Sequence, residues 1–373
     1  MSSVRHVGFN ALFLEPGASG GTETYLRELV PAMARLRPDL RLTVFTNGSA
    51  AASLRRANWD QFADIVALVP SGIRRGSRLV AELVLAPRAA SRANCDVLHS
   101  LANTGPLHAH VASVLTVHDV IYMTTKTLNP VTTLALRHLV PRAARRADAL
   151  IALSESARDE VARVLRLPRG ALTVIPHGIS SPAAPAPLEA VRERYDLVGR
   201  RVILCVAALR PHKNHALLLR ALQGLPDDVV LALVGQPEGS SAALRAEAHR
   251  LAAHGRVRIL GYVPDHDLEA LWRLATCAAL PTLAEGFGLP LAEAMSRGIP
   301  VACSDLPVLR EVGGNVPHYF DPRNPDAAAR AIHSAMHDGT ARVRGPMRAA
   351  RFTWEESARR TLLVYESALA ARS

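Results

Sequence analysis

Short apolar runs alternate with longer amphipathic stretches along the whole chain, and this spacing predicts strands and helices in turn. In the first half, residues 6–14, 40–46, 65–69, 96–99, 112–117, 149–153 and 172–175 read as strands. The first of these ends in Gly17-Ala-Ser-Gly-Gly-Thr22, and an amphipathic helix over residues 23–36 follows it. The alternation restarts with strands at residues 201–207, 229–234, 256–260, 278–280, 300–303 and 319–320. Helices are expected between them from about residue 214, at 241–254, at 265–274 and from residue 291, with a last amphipathic helix over 354–370. Strand–helix alternation of this kind predicts an α/β chain of doubly wound, parallel sheets covered by helices.

Between the two series lies Ser180-Ser-Pro-Ala-Ala-Pro-Ala-Pro187. Small residues and prolines in such density resist both helix and sheet, so this is the expected hinge between two domains. A length of 373 residues suits two domains better than one core. Ligands of doubly wound sheets bind beyond the carboxyl ends of the strands, so a cleft between two such domains is the expected place for a site.

The apolar runs are of strand length, well short of the ~20 residues that a crossing helix needs. His6, Asn10 and Glu15 break up the N-terminus, which does not read as a secretion signal. Cys95, Cys205, Cys277 and Cys303 stand far apart without metal-ligand spacing. They read as buried small apolar residues of a protein in a reducing, cytoplasmic setting.

Charge alters the picture more. The formal net charge is +11, and residues 1–180 hold 21 Arg/Lys against 13 Asp/Glu, a balance of +8. Arginines at 55, 56, 74, 75, 78, 88, 92, 137, 142, 145 and 146 supply most of it. Such a face suits an anionic membrane surface or a phosphorylated ligand, and equally a solvated arginine-rich surface. Aromatics make up 4% of the chain and do not interleave with the basic residues, which argues against nucleic acid. Against 42 arginines stand two lysines, Lys126 and Lys213, so a lysine raises the question of whether a compact ammonium is required.

The chemistry concentrates in Pro281-Thr-Leu-Ala-Glu-Gly-Phe-Gly-Leu-Pro-Leu-Ala-Glu293. Glu285 falls in a glycine-containing loop after an apolar strand, and Pro290 suits the first turn of a helix that carries Glu293. Amides of Gly286, Phe287, Gly288 and Leu289 at such a helix start offer donors to an anion. The two carboxylates can accept hydrogen bonds from hydroxyl pairs of a sugar or ribose. Two glutamates at this spacing also fit an incidental strand-to-helix turn; the full string favours the ligand loop.

That string, EGFGLPLAEAM with Glu285 and Glu293 as an E-x7-E pair, resembles the retaining GT-B glycosyltransferases of family four. The resemblance runs through nearly the whole chain. It takes in Gly20-Gly21-Thr-Glu, Val117-His118-Asp119, Leu153-Ser-Glu155, Ile175-Pro-His-Gly178, Arg210-Pro-His-Lys-Asn214, Leu233-Val-Gly235, Leu260-Gly-Tyr-Val-Pro264 and Gly298-Ile-Pro-Val-Ala302.

What the resemblance implies is an acceptor-binding domain over residues 1–182, a donor-binding domain over 190–353, and a helix over 354–373 that crosses back to the first domain. Glu285 would hold the transferred sugar and Glu293 the donor ribose. Gly286, Phe287, Gly288 and Leu289 would address sugar and diphosphate through their amides. Lys213, helped by Arg210, would neutralise the diphosphate, with no metal or other cofactor. Many relatives carry an arginine five or six residues before the lysine, where this chain has Ala207 and Ala208. Val263, next to Tyr262, would hold the nucleobase through backbone contacts, and Gly20 and Gly21 would close over the phosphates. His118 would sit at the reacting end of the sugar, although a histidine ending a strand is also a common structural cap. His99 and His177 end strands likewise.

The reaction implied is transfer of a hexose, with retention, to a glycan or lipid-linked acceptor. GDP-mannose is the first candidate donor, because the Pro-His-Lys-Asn form of the lysine motif is similar to that of mannosyltransferases, and a UDP-hexose the second. A nucleotide-sugar epimerase of the same fold, or a non-catalytic sugar-nucleotide-binding subunit, remains open at this point. Attachment to the inner membrane surface through the basic first half is a further expectation.

Overall fold

The computed structural model describes residues 4–72, 75–124, 130–237 and 241–372. Arg74 and Lys126 lie outside the described residues. The chain forms two compact units, one of Met1–Gly178 with Thr353–Ser373, the other of Ile179–Phe352.

In the first unit the described strands are β1 (His6–Asn10), β2 (Arg41–Asn47), β3 (Asp64–Val69), β4 (Val97–Ser100), β5 (Ala112–Val117), β6 (Ala149–Ala152) and β7 (Leu172–Val174). All pairs are parallel, in the order β3-β2-β1-β4-β5-β6-β7. Central strands β1, β4 and β5 are buried at every position, which explains why they read as unbroken apolar runs rather than alternating ones. The first strand ends earlier than its apolar run suggests. Beyond Asn10 the chain peels off the sheet, and the side chains of β2 hold the departing backbone. Thr46 donates to Ala11 C=O at 3.0 Å, and Asn47 donates to Leu14 C=O at 2.8 Å.

Helices Gly21–Leu36 and Trp354–Ala370 share one core with this sheet, through Tyr25, Leu29, Met33, Trp354, Ala358 and Tyr365. The last helix is tied down further: Ser357 donates to Pro176 C=O and Arg360 to Val174 C=O, at 2.5 and 2.6 Å. Gly178 is where the chain passes closest to it. A Cβ there would lie 2.2 Å from Trp354 N, so only glycine fits.

In the second unit the described strands are β8 (Arg201–Val206), β9 (Val229–Val234), β10 (Val257–Gly261), β11 (Ala275–Leu280), β12 (Val301–Ser304) and β13 (His318–Phe320). They form a parallel sheet in the order β10-β9-β8-β11-β12-β13. Helices His215–Ala221 and Pro325–Met336 cover one face through Leu217, Leu218, Ala328 and Ile332. Residues 180–187 carry no helix or strand, as their prolines dictate, and helix Leu188–Arg194 follows. All four cysteines are buried and unpaired with one another. Among the described residues, no helix is long and apolar enough to cross a membrane.

Candidate functional site

In the second unit the strand order reverses between β8 and β11, with β9 and β10 on one side and β12 and β13 on the other. Loops that leave the carboxyl ends of such a pair diverge and leave a crevice for a ligand. The loop after β8 carries Lys213, and the loop after β11 carries Glu285.

Three cross-links bring these loops together. Leu283 N–H donates to His212 C=O at 2.7 Å, and the Thr282 hydroxyl lies 3.2 Å from the same oxygen. Asn214, in the left-handed region at φ 57°, donates its amide to the carbonyls of Pro281 at 3.0 Å and Pro322 at 2.8 Å. Asparagine tolerates that conformation better than most side chains. As a result Lys213 Nζ and Glu285 Oε1 form an ion pair, with side chains 19% and 12% exposed. The pair lines a shallow concavity, with room for about one water molecule, together with Cys205, Ala207, Leu280 and Pro290. Arg210 caps the turn Pro211–Lys213, accepting from Lys213 N–H at 3.0 Å, and is itself exposed.

Beyond Glu285 the backbone is fixed by packing. Phe287 is buried and meets Phe352 edge to face at 5.4 Å. Gly286 and Gly288 are buried with it. Gly288 has φ 93°, and a Cβ there would lie 2.6 Å from Leu309 Cδ2. Helix Leu289–Ser296 starts at once, with Pro290 in its first turn. Half-buried Glu293 lies four residues after Leu289 and so shares its face of the helix. Val263 is buried behind exposed Tyr262, in the turn between β10 and helix Asp265–Leu274. Gly261 C=O anchors that turn by accepting from Gly235 N–H at 2.9 Å.

The first unit has its own reversal point, between β1 and β4. Gly20, at φ 56°, caps helix Gly21–Leu36, and both Gly20 and Gly21 are exposed. Glu23 steadies the loop before them by accepting from Gly17 N–H at 2.8 Å.

His118 follows β5 and is held on two sides. Its N–H donates to Asn103 Oδ1 at 2.7 Å, and its ring Nε2 lies 2.6 Å from Leu101 C=O. A carbonyl only accepts, so Nε2 carries the proton and Nδ1 is left as an acceptor. Burial lowers its pKa to about 4, against the opposing pull of the Leu101 bond. At neutral pH it is an uncharged imidazole, able to accept a hydrogen bond at Nδ1.

His99 and His177 belong to the core rather than to an accessible site. His99 is fully buried between Tyr365 Oη at 2.7 Å and Thr116 Oγ1 at 2.8 Å. His177 stacks on Tyr25 at 4.9 Å and meets His118 edge on at 5.5 Å. Burial lowers the pKa of His99 to about 3 and that of His177 well below its usual value. Sequence reasoning does not pick out Asn214, Thr282 or Asn103 as site-building residues, although Asn214 stands in the Arg-Pro-His-Lys-Asn string.

The two units are the halves of a GT-B fold. Over 97% of this chain and all of the other, it superposes on HepE of Anabaena, solved with UDP and glucose, at TM-score 0.75 and 19% identity. Sucrose-phosphate synthase of Thermosynechococcus elongatus matches over 98% of this chain and 100% of its own, at TM-score 0.75 and 20% identity. Residues 19–181 match the model of Glycosyltransferase Family 4, and residues 189–351 that of Glycosyl transferases group 1. Each half of the chain is thus a glycosyltransferase-family domain. O-antigen chain mannosyltransferase B of Escherichia coli is 33% identical over 231 residues, 59% of this chain and 61% of the relative. Phosphatidyl-myo-inositol mannosyltransferase of Mycobacterium leprae is 33% identical over 183 residues, 46% of this chain and 48% of the relative. The matched stretch therefore spans about half of these curated relatives' length.

Proposed function

We propose that this protein is a glycosyltransferase that moves a hexose, mannose first, from a nucleoside diphosphate sugar to a glycan or lipid-linked acceptor, with retention at the anomeric carbon. The observation that carries this reading is the Lys213–Glu285 pair at the reversal point of the second sheet. A cation and an acid held side by side, next to a glycine-cornered helix start, fit a diphosphate bonded to a sugar. Lys213 takes the phosphate charge that grows as the sugar leaves, which is stabilisation placed where charge develops. Glu285, released from its partner, accepts from sugar hydroxyls, and Glu293 accepts from the ribose. Amides of Gly286, Phe287, Gly288 and Leu289 receive the remaining phosphate oxygens. Val263 presents its backbone to the base, and Arg210 supplies a second, solvent-side charge. In the first unit, Gly20 and Gly21 are assigned to the phosphates and His118 to the transferred sugar.

No metal or other cofactor enters this scheme. The leaving phosphate itself takes the proton of the incoming hydroxyl on the face from which it departs. The mannosyltransferase names of the relatives favour a GDP-mannose donor, and UDP-bound HepE favours a UDP-hexose. The basic first half suits an anionic acceptor or membrane surface on the cytoplasmic side.

Thermal stabilisation by GDP, UDP and ADP decides the donor base, because a ligand at 100 times its Kd adds about 2.7 kcal/mol. One nucleotide is expected to raise Tm clearly above the others. No shift with any of the three defeats the proposal. Incubation with the matching sugar nucleotide alone separates an epimerase, which needs no acceptor.

A further inference from the structure

Two helices of the second unit bear the segments proposed to hold the nucleoside, and a buried ion pair ties them together. Helix Asp265–Leu274 starts directly after Val263 and Pro264, with Leu268 N–H on Pro264 C=O at 2.9 Å. Helix Leu289–Ser296 carries Glu293 in its second turn. β11 separates the two helices in sequence. Their bridge joins Arg297, which ends the second helix, to Glu269 of the first, with side chains 13% and 4% exposed.

Arg297 uses every nitrogen of its guanidinium. Nε and Nη2 both lie 2.9 Å from Glu269 Oε2. Nη1 donates to Glu293 C=O at 3.0 Å, the same carbonyl that receives the Arg297 backbone N–H at 3.3 Å. The guanidinium also lies over the buried ring of Trp272, 5.7 Å from its centre. Glu269 turns its other oxygen toward Arg273, one turn along its own helix, at 3.8 Å. That helix is held at its start as well, where Asp267 accepts from Arg194 and Tyr195, both at 2.6 Å.

Stability alone does not account for the pair. Burying two charges costs about as much as their attraction returns, and apolar side chains of similar volume would join the helices as firmly. What a planar fork adds is geometry, because its donors fix distance and direction to both partners at once. A nucleoside makes use of that. Its base and ribose are joined by one short bond, so the segments that receive them must stand at a fixed separation.

We infer that Arg297 and Glu269 are positioning residues, which set the separation between the Val263 turn and Glu293 to that of base and ribose in one nucleoside. The inference rests on the reading of Val263 and Glu293 as the base and ribose contacts. Arg297 acts through the Glu293 carbonyl, and Glu269 through the helix from which the Val263 turn hangs.

Calorimetry on the full chain, with whichever of GDP and UDP stabilises the wild type, tests this. Arg297→Lys keeps the buried charge and loses the fork, so nucleotide affinity should fall about tenfold. Arg297→Met combined with Glu269→Met leaves neither charge unpaired, so Tm without ligand should stay near the wild type, while affinity falls as far. Inorganic pyrophosphate reaches neither segment and should bind all three proteins equally. In transfer assays, Arg297→Lys should raise KM for the sugar nucleotide and leave kcat nearly unchanged. Wild-type nucleotide affinity in Arg297→Lys overturns the inference. A double variant with both Tm and affinity of the wild type also overturns it, since the pair would then serve packing alone. Equal weakening toward pyrophosphate does the same, because the damage would not be confined to base and ribose. Should the double variant fail to fold, Arg297→Lys and its pyrophosphate comparison decide. A wild-type chain that binds no nucleotide defeats the functional proposal, and this inference with it.

Discussion

Tyr365 Oη and His99 Nδ1 lie 2.7 Å apart, joining the last helix to the end of β4 across the core of the first unit. The same histidine meets Thr116 through its other nitrogen, and Thr116 lies 3.2 Å from Tyr25 Oη. A buried polar chain of this kind holds only while each member has its partner. Tyr365→Phe leaves a ring nitrogen of His99 without one, and should cost about 1–3 kcal/mol. Urea unfolding of the variant should show a lowered midpoint with an unchanged slope. A midpoint equal to the wild type would mean that the hydroxyl contributes nothing.

Acid should weaken the first unit before the carboxylates titrate. His99 and His118 are held neutral by burial, with pKa values of about 3 and about 4. Unfolded histidines bind protons below about pH 6.5. The folded chain therefore keeps the full contribution above pH 6.5 and loses it as pH falls toward 4 and then 3. The summed loss is on the order of several kcal/mol. Chemical denaturation at pH 7.5, 6.0 and 5.0 should give falling stability, and a flat series would contradict the buried, neutral cluster.

Asn214 contributes through both backbone and side chain, and two substitutions separate them. Asn214→Gly keeps the left-handed turn but loses the amide bonds to Pro281 and Pro322, at about 1–2 kcal/mol. Asn214→Ala adds about 1–2 kcal/mol of backbone strain at φ 57°. Both should weaken nucleotide binding, measured by calorimetry, because the Lys213 and Glu285 loops lose their clamp. Wild-type affinity in both variants would show that the clamp has no bearing on the site.

Lys213 and Glu285 should fail differently. Lys213→Met removes the proposed phosphate charge, so the nucleotide-induced rise in Tm should shrink to near zero. Glu285→Gln keeps the charge and should retain most of that rise, while transfer falls by two orders of magnitude or more. The reverse pattern in the two melts would exchange the proposed roles.

Gly288→Ala places a methyl group against Leu309 in a backbone region that suits glycine. A strain of about 1–3 kcal/mol is expected, together with weaker nucleotide binding as the loop shifts. A variant with wild-type Tm and affinity would show that the corner is not held by packing.

Most strands were legible because their burial is nearly complete. Val229–Val234 is apolar at all six positions and buried at all six, so pattern and structure coincide. The Glu285–Glu293 segment was legible because glycine, proline and acid fall in an order that few other structures require. Helix Pro130–Arg146 is harder to read, since Pro141 lies inside it and its polar and apolar residues segregate weakly. Glu82 could not be recognised at all. In the run Ala-Glu-Leu-Val-Leu-Ala it resembles a solvent-facing helix residue, yet it is buried within a π-helical turn, Ala81–Leu85. Nor does spacing reveal that His99 and His177 are enclosed by Tyr25, Tyr365 and Trp354. Those partners lie up to 266 residues away in the chain.

The last helix completes a body begun at the other end of the chain, and this sets an order on assembly. Trp354, Ala358, Val364, Tyr365 and Ala368 belong to the same core as Val7, Phe9 and Leu29. During synthesis from the N-terminus, those core positions stay unfilled until all of Ile179–Phe352 has emerged. The first unit must therefore wait, with apolar surface showing, for a piece delivered after its neighbour.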